Sequence, residues 1–212
     1  MLNPDRARIV VLDAFGTLVR RMAPTDAYAR LWAQRDLGRP GLAVEDAMRT
    51  DRSFMSLARH WGVPLDKARA LETDVRADTM LVMPFPEARQ ALTHLRQSGR
   101  HVIVCSNLAQ PYADAIQRHF SGLFNAWVWS FETGHLKPEP AMYEAVMKIT
   151  GRPAGDHWMV GDRLQEDVLA PRAVGWQATQ VVRPGQPGPV SEPAWSSLSP
   201  FLDWAVLPPS VG

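Results

Sequence analysis

Cysteine is almost missing from this chain: Cys105 is the only one in 212 residues. That scarcity excludes an internal disulfide and any metal site built from several thiolates. Cys105 lies within an apolar run, so it reads as a packing residue rather than a nucleophile. Charge of one sign is also lacking, since 23 basic residues stand against 22 acidic ones for a formal net charge of +1. No charge run marks a partner among nucleic acids or membranes. Long hydrophobic runs are absent too. The N-terminus passes Asp5, Arg6 and Arg8 before a short apolar segment that breaks at Asp13, which fits neither a signal peptide nor a membrane span. A cytoplasmic address is the default expectation. There is no internal repeat.

What the chain does contain is a repeating pattern of short β-branched runs followed by helical patterns, within a length that permits one sizeable core plus an inserted subdomain. The runs are 8 to 12, His101 to Cys105, Ala126 to Ser130, His157 to Val160 and Gln177 to Val182. Helical spacing covers 87 to 98, 111 to 119, 140 to 149 and 165 to 173. This alternation predicts an α/β fold, a mostly parallel sheet covered by helices on both faces. Between 19 and 84 the pattern is wholly helical, with apolar spacing over Asp26 to Gln34, Val44 to His60 and Pro64 to Met80 and breaks at Gly38, Gly41 and Gly62. Placed straight after the first strand, this segment reads as an inserted α-helical cap. The expected division is a core of 1–18 and 85–212, including a proline-rich tail from 183, and a cap of 19–84. Trp195, Phe201, Leu202 and Trp204 make the tail a segment docked on the core, although Pro184 to Pro187 also matches PxxP. Trp127 and Trp129 share one strand face and are expected to pack on the sheet.

Four small groups of residues carry chemistry, and each sits where a strand meets the following loop, the edge at which open α/β sheets bind ligands. Asp13 ends the first run as a carboxylate able to act as nucleophile, with Gly16 and Thr17 in the turn behind it. Ser106 and Asn107 end the second run, where a hydroxyl and an amide either bind substrate oxygens or simply make a turn. Lys137, before the rigid Pro138, offers a compact cation to neutralise carboxylates and an anionic substrate. Gly161, Asp162 and Asp167 follow the fourth run. Two acids so placed suit Mg²⁺, although Asp167 is also what a first helical turn favours. Arg20 and Arg21 either contact a substrate anion or are ordinary exposed arginines.

In this order and spacing, Asp13 to Leu18, Ser106-Asn107, Lys137-Pro138 and Gly161-Asp162 with Asp167 resemble the haloacid dehalogenase-like hydrolase superfamily, in the subgroup with a helical cap after the first strand. The resemblance covers about 8 to 182. It implies a Rossmann-like sheet with the first strand central, flanked by the second and fourth, and an active site between sheet and cap. It further implies Asp13 as nucleophile, Ser106 holding the transferring group, Lys137 orienting Asp13, and Mg²⁺ on Asp13, Asp162 and the carbonyl of Phe15. Asp167 would support the site or bind the metal through water. Thr17, Asn107 and Arg20 stand beside these as candidate contacts to a small anionic substrate.

Phe15 departs from that pattern, because phosphatases of the superfamily usually carry there an aspartate that protonates the leaving group. Loss of a general acid typically lowers a rate by about 10²–10⁴-fold. The chain is therefore expected to be a Mg²⁺-dependent phosphatase-type hydrolase acting on a small phosphorylated metabolite, slow unless its leaving group is good or the cap supplies another acid. The 2-haloacid dehalogenases are similar at the aromatic residue, but they lack an acidic fourth motif. Asp162 beside Asp13 would repel an anionic haloacid in the absence of a cation. A dehalogenase and a catalytically poor ligand-binding relative remain the alternatives. Trp32, Trp61 and the apolar cap helices suit an interface or an internal core equally, so monomer and homodimer both stand.

Overall fold

Strand β1, Ile9–Leu12, is buried along its whole length, and its alternating side chains serve two cores. Val10 and Leu12 pack on one face of the sheet, while Ile9 and Val11 pack on the other. A strand buried on both sides needs apolar residues at every position, and this one has them. The computed structural model describes residues 7–186 and 188–206. Asp5 and Arg6, Pro187 of the PxxP match and the tail residues 207–212 lie outside the described residues.

Around β1 lie β4 (His101–Ser106), β5 (Ala126–Trp129), β6 (His157–Gly161), β7 (Gln177–Val181) and the short β8 (Ala194–Trp195), in the order β5-β4-β1-β6-β7-β8. All these pairings are parallel. The first strand is therefore central between the second and fourth runs, as expected. Helices α5 (Ala88–Gln97) and α6 (Gln110–His119) cover one face, with Ala88, Ala91, Leu92 and Leu95 forming an inward stripe at three- and four-residue spacing. Helix α8 (Pro140–Thr150) covers the other with Met142, Tyr143 and Val146. The fold is a Rossmann-like α/β sheet.

The segment between 19 and 84 is less purely helical than its pattern suggests. Its two ends are strands, β2 (Val19–Arg21) and β3 (Val82–Pro84), paired antiparallel as a neck. Between them run α1 (Ala27–Ala33), α2 (Asp46–Arg49), α3 (Phe54–His60) and α4 (Leu65–Met80). The expected helix over Val44 to His60 is thus broken in two. Thr50 leaves helical backbone, and Ser53 starts α3 afresh by accepting the Ser56 amide at 3.3 Å. These helices own a separate core that includes Leu31, Phe54, Leu57, Trp61 and Leu71. Trp61 is fully buried there and meets the half-buried Trp32 edge-on, ring centroids 5.1 Å apart. Among the described residues no helix is long and apolar enough to cross a membrane.

The tail docks as expected. Trp204 and Phe201 are buried, with Trp204 4.8 Å from both the Phe201 and Trp158 rings. Trp204→Ala is expected to cost about 3–5 kcal/mol, as for other large buried aromatic truncations. Chemical denaturation followed by circular dichroism checks this, and an effect below about 1 kcal/mol would show that the tail contributes little to the core. The second tryptophan expectation holds only by half: Trp129 is buried, whereas Trp127, stacked on it at 6.5 Å, is 42% exposed.

Candidate active site

Parallel strands in register end at the same edge, and this places the chemical groups together. Leu12 pairs with both Val104 and Val160, so the residues just beyond β1, β4 and β6 emerge side by side. Asp13 is held there by its own amide, which donates to the Val160 carbonyl at 3.0 Å. Its Oδ1 accepts the Ser106 hydroxyl at 3.0 Å and the Lys137 ammonium at 2.8 Å. Lys137 also donates to Oδ1 of Asp167 at 2.6 Å. Ser106, Lys137 and Asp167 are all buried, and Asp13 is only 7% exposed. The hydroxyl and ammonium leave Oδ2 of Asp13 for attack or for a cation.

Two glycines make room for the acids. A Cβ on Gly161 would fall 2.3 Å from Cγ of Asp167, and one on Gly16, at φ 83°, would fall 2.2 Å from Oδ2 of Asp162. The expected helix over 165 to 173 opens instead as a wide π-type turn at Leu164–Leu169 before α9 (Ala170–Ala173). This turn brings the Asp167 carboxylate back onto its own start, where Oδ2 accepts the Arg163 amide at 3.0 Å.

The electrostatics follow from burial and crowding. Burial pushes the Asp167 carboxyl up to about 7, against the pull of Lys137 and with the help of Asp13. Asp162 is also raised, by burial first and by Asp13 second. Burial alone would lower Lys137, but Asp13 and Asp167 outweigh it and hold the ammonium well above its ordinary range. Cys105 is buried and its thiol is pushed up to about 12 by desolvation, in line with a packing role.

One oxygen from each of Asp13, Asp162 and Asp167 lies within 4.8 Å of the others, a spacing that could hold a metal ion. Oδ1 of Asp162 is buried without a hydrogen-bond partner among the described residues. An orphaned carboxylate oxygen inside a cluster of acids fits a divalent cation such as Mg²⁺, which takes one or two carboxylates with waters and substrate oxygens. A cavity of about 530 Å³ adjoins Asp162, lined also by Gln165, Glu166, Gln180 and Gln186.

The remaining expected residues are placed differently. Asn107 donates to the Lys137 carbonyl and accepts the Lys137 amide, both at 2.8 Å, so its carboxamide grips the lysine backbone where a substrate contact was expected. Thr17 is fully buried, its hydroxyl without a partner among the described residues and its carbonyl accepting from Arg183 at 2.6 Å. Arg20 is exposed and lies over the Phe85 ring at 5.7 Å. Its neighbour Arg21 turns to the other side of β2, 3.5 Å from the Tyr112 hydroxyl and 3.7 Å from the buried Asp78. Phe15 meets Tyr112 edge-on at 5.6 Å. Sequence reasoning missed Arg183 and Gln186, which sit in a Pro/Gly segment with no periodicity, yet reach Thr17 and Asp162 respectively.

A family model described as haloacid dehalogenase-like hydrolase matches residues 7–175. A phosphoglycolate phosphatase from Pseudomonas savastanoi pv. phaseolicola is 28% identical over 183 residues, 79% of this chain and 66% of the relative. The chain thus spans just under two thirds of the length of that relative. Among solved structures, a HAD phosphatase from Thermococcus onnurineus has a TM-score of 0.63 at 16% identity, covering 94% of this chain and 100% of that one. A 2-haloacid dehalogenase from Pseudomonas syringae pv. Tomato has a TM-score of 0.67 at 16% identity, covering 92% and 96%. At such identities the likeness is one of fold, and it extends to a phosphatase and a dehalogenase alike. Since the family model takes in most of the sequence, including every acid of the site, the chain belongs to the haloacid dehalogenase-like hydrolases.

Proposed function

We propose that this chain is a phosphatase-type hydrolase that uses Asp13 against a small phosphorylated metabolite, with 1–18 and 85–212 as catalytic core and 19–84 as its cap. The observation that carries this reading is the acidic cluster of Asp13, Asp162 and Asp167, which would repel an anionic substrate unless a cation sat among them. Mg²⁺ held by Asp13, Asp162 and the Phe15 carbonyl would neutralise that repulsion and stabilise charge on the transferring group. The phosphoglycolate phosphatase relative supports the same class of substrate.

In this reading Oδ2 of Asp13 attacks phosphorus, forming an aspartyl-phosphate as the bond to the leaving oxygen breaks. Water then hydrolyses the acyl phosphate and regenerates Asp13. Lys137 orients Asp13 through its hydrogen bond to Oδ1, itself held by Asp167 and by the Asn107 grip on its backbone. Ser106 is within reach of the nucleophile and would donate its hydroxyl to an oxygen of the transferring group. Phe15 has no proton to give the leaving oxygen.

Phosphate release from p-nitrophenyl phosphate and from phosphoglycolate, with and without Mg²⁺, tests the proposal. Mg²⁺-stimulated release is the expected result. Chloride release from 2-chloropropionate in EDTA, without phosphatase activity, would replace it by the dehalogenase reading. Phe15→Asp is expected to raise turnover by about 10²-fold on alkyl phosphates, whose leaving groups need a proton, and much less on p-nitrophenyl phosphate. Equal effects on both substrates would mean that the missing acid is not what limits the site.

A further inference from the structure

The segment after β7 reaches both loops that carry the acids. Arg183 donates to the carbonyls of Gly16 at 3.3 Å and Thr17 at 2.6 Å, pairs with Glu87, and lies 3.7 Å from the Phe85 ring centre. It is thereby fixed against the loop that follows Asp13. Three residues later, Gln186 donates its amide to Oδ2 of Asp162 at 2.6 Å. The other end of that side chain is held as well, since Oε1 of Gln186 accepts the Arg183 backbone amide at 3.2 Å, while the backbone N–H of Gln186 separately donates to the Arg183 carbonyl at 3.0 Å. With its oxygen so engaged, the carboxamide can present only N–H to Asp162. The Asp162 backbone is tied separately, its carbonyl accepting from Gln180 at 3.0 Å.

We infer that Gln186 is a positioning residue for the cation site, fixing the Asp162 carboxylate through Oδ2 so that Oδ1 is the oxygen offered to a divalent ion. Oδ1 is the buried atom without a hydrogen-bond partner among the described residues, which is where an incoming ligand bond would form. An aspartate held this way binds through one oxygen, as an octahedral Mg²⁺ shell with several waters requires. Loss of the donor frees the carboxylate to rotate or to accept in both directions, and Asp162 no longer meets the ion in one orientation. Partners that orient a metal's ligands are typically worth about 10–100-fold in affinity.

This inference rests on the reading of Asp13 and Asp162 as a Mg²⁺ site, and the test separates the two. Mg²⁺ is titrated calorimetrically into the full chain and into Gln186→Ala, Gln186→Leu and Gln165→Ala, the last altering an exposed residue on the same cavity wall. Both Gln186 variants are expected to raise the Kd about tenfold, with Gln165→Ala near the wild-type value. The Mg²⁺ concentration for half-maximal phosphate release should rise in parallel, and added Mg²⁺ should recover turnover, which a merely unfolded protein would not do. A Kd within twofold of wild type in both Gln186 variants, with wild type binding normally, overturns the positioning role and leaves the cation site intact. If wild type takes up no Mg²⁺, the cation site itself falls and the role of Gln186 with it.

Discussion

Asp13→Asn is expected to lower phosphate release from p-nitrophenyl phosphate by at least about 10⁴-fold, in line with removal of a nucleophile that other residues cannot replace. The amide is nearly isosteric with the carboxylate, and Asp13 is enclosed on a strand end by Ser106 and Lys137, so the fold should survive the exchange. What is lost is the anion. A carboxamide cannot form the aspartyl-phosphate, and it leaves Lys137 with Asp167 as its one charged partner at the site. Steady-state release measured on protein with an unchanged far-UV spectrum makes the comparison clean. A residual rate within about tenfold of wild type would mean that Asp13 positions rather than attacks.

The next largest effect belongs to Lys137→Met, and here stability and activity should fall together. Lys137 is buried between two carboxylates, 2.8 Å from one and 2.6 Å from the other. Removing one member of a buried ion cluster typically costs about 3–5 kcal/mol, because the acids left behind have neither water nor counter-charge. For a chain of this length that corresponds to roughly 6–20 °C in Tm. The loss should also depend on pH with a definite sign. Asp167 already titrates near 7, above its ordinary value of 3.8, so the folded state takes up its proton more readily than the unfolded one. Stability from that proton is present at low pH and is lost as pH rises through about 7. Lys137 is what opposes the upward shift, so without it the carboxyl moves higher still and ionising it becomes costlier. The Tm deficit should therefore be larger at pH 8 than at pH 5.5. The raised lysine itself stays charged across that window, and the difference belongs to the acids. Equal deficits at the two pH values would show that packing, not charge, is what the lysine supplies.

The central strands were legible because burial on both faces demands continuous apolar runs, and the site motifs were legible because each ends one of those runs. The neck was not. Strands β2 and β3 have three residues each, of which only the first is buried, too short for alternation to declare itself. The polar stretch Arg49 to Ser53 interrupts the apolar spacing between Met48 and Phe54, and the break between α2 and α3 falls there, with Ser53 capping the new helix. Asn107 could be read as a substrate contact or a turn residue, but its grip on Lys137 joins loops 30 residues apart. Gln186 is the extreme case. Its partner Asp162 lies in another loop, and nothing in a stretch of Pro and Gly signals a contact there.

The position of β1 in the sheet has a consequence for how the molecule assembles. Ile9 pairs with His101 on one side and with His157 on the other, so both neighbours of the first strand come from far along the chain. Between β1 and β4 in sequence lie the helices of the insertion, whose core forms from residues 27 to 75. Long loops must close before such pairings are rewarded, whereas local helical contacts form early. On the ribosome, the strand that bears Asp13 is made first and completed late, after β6 has emerged. A chain stopped short of Asp162 and Asp167 would hold Asp13, Ser106 and Lys137, but no acidic cluster, which forms only once the residues after β6 are in place.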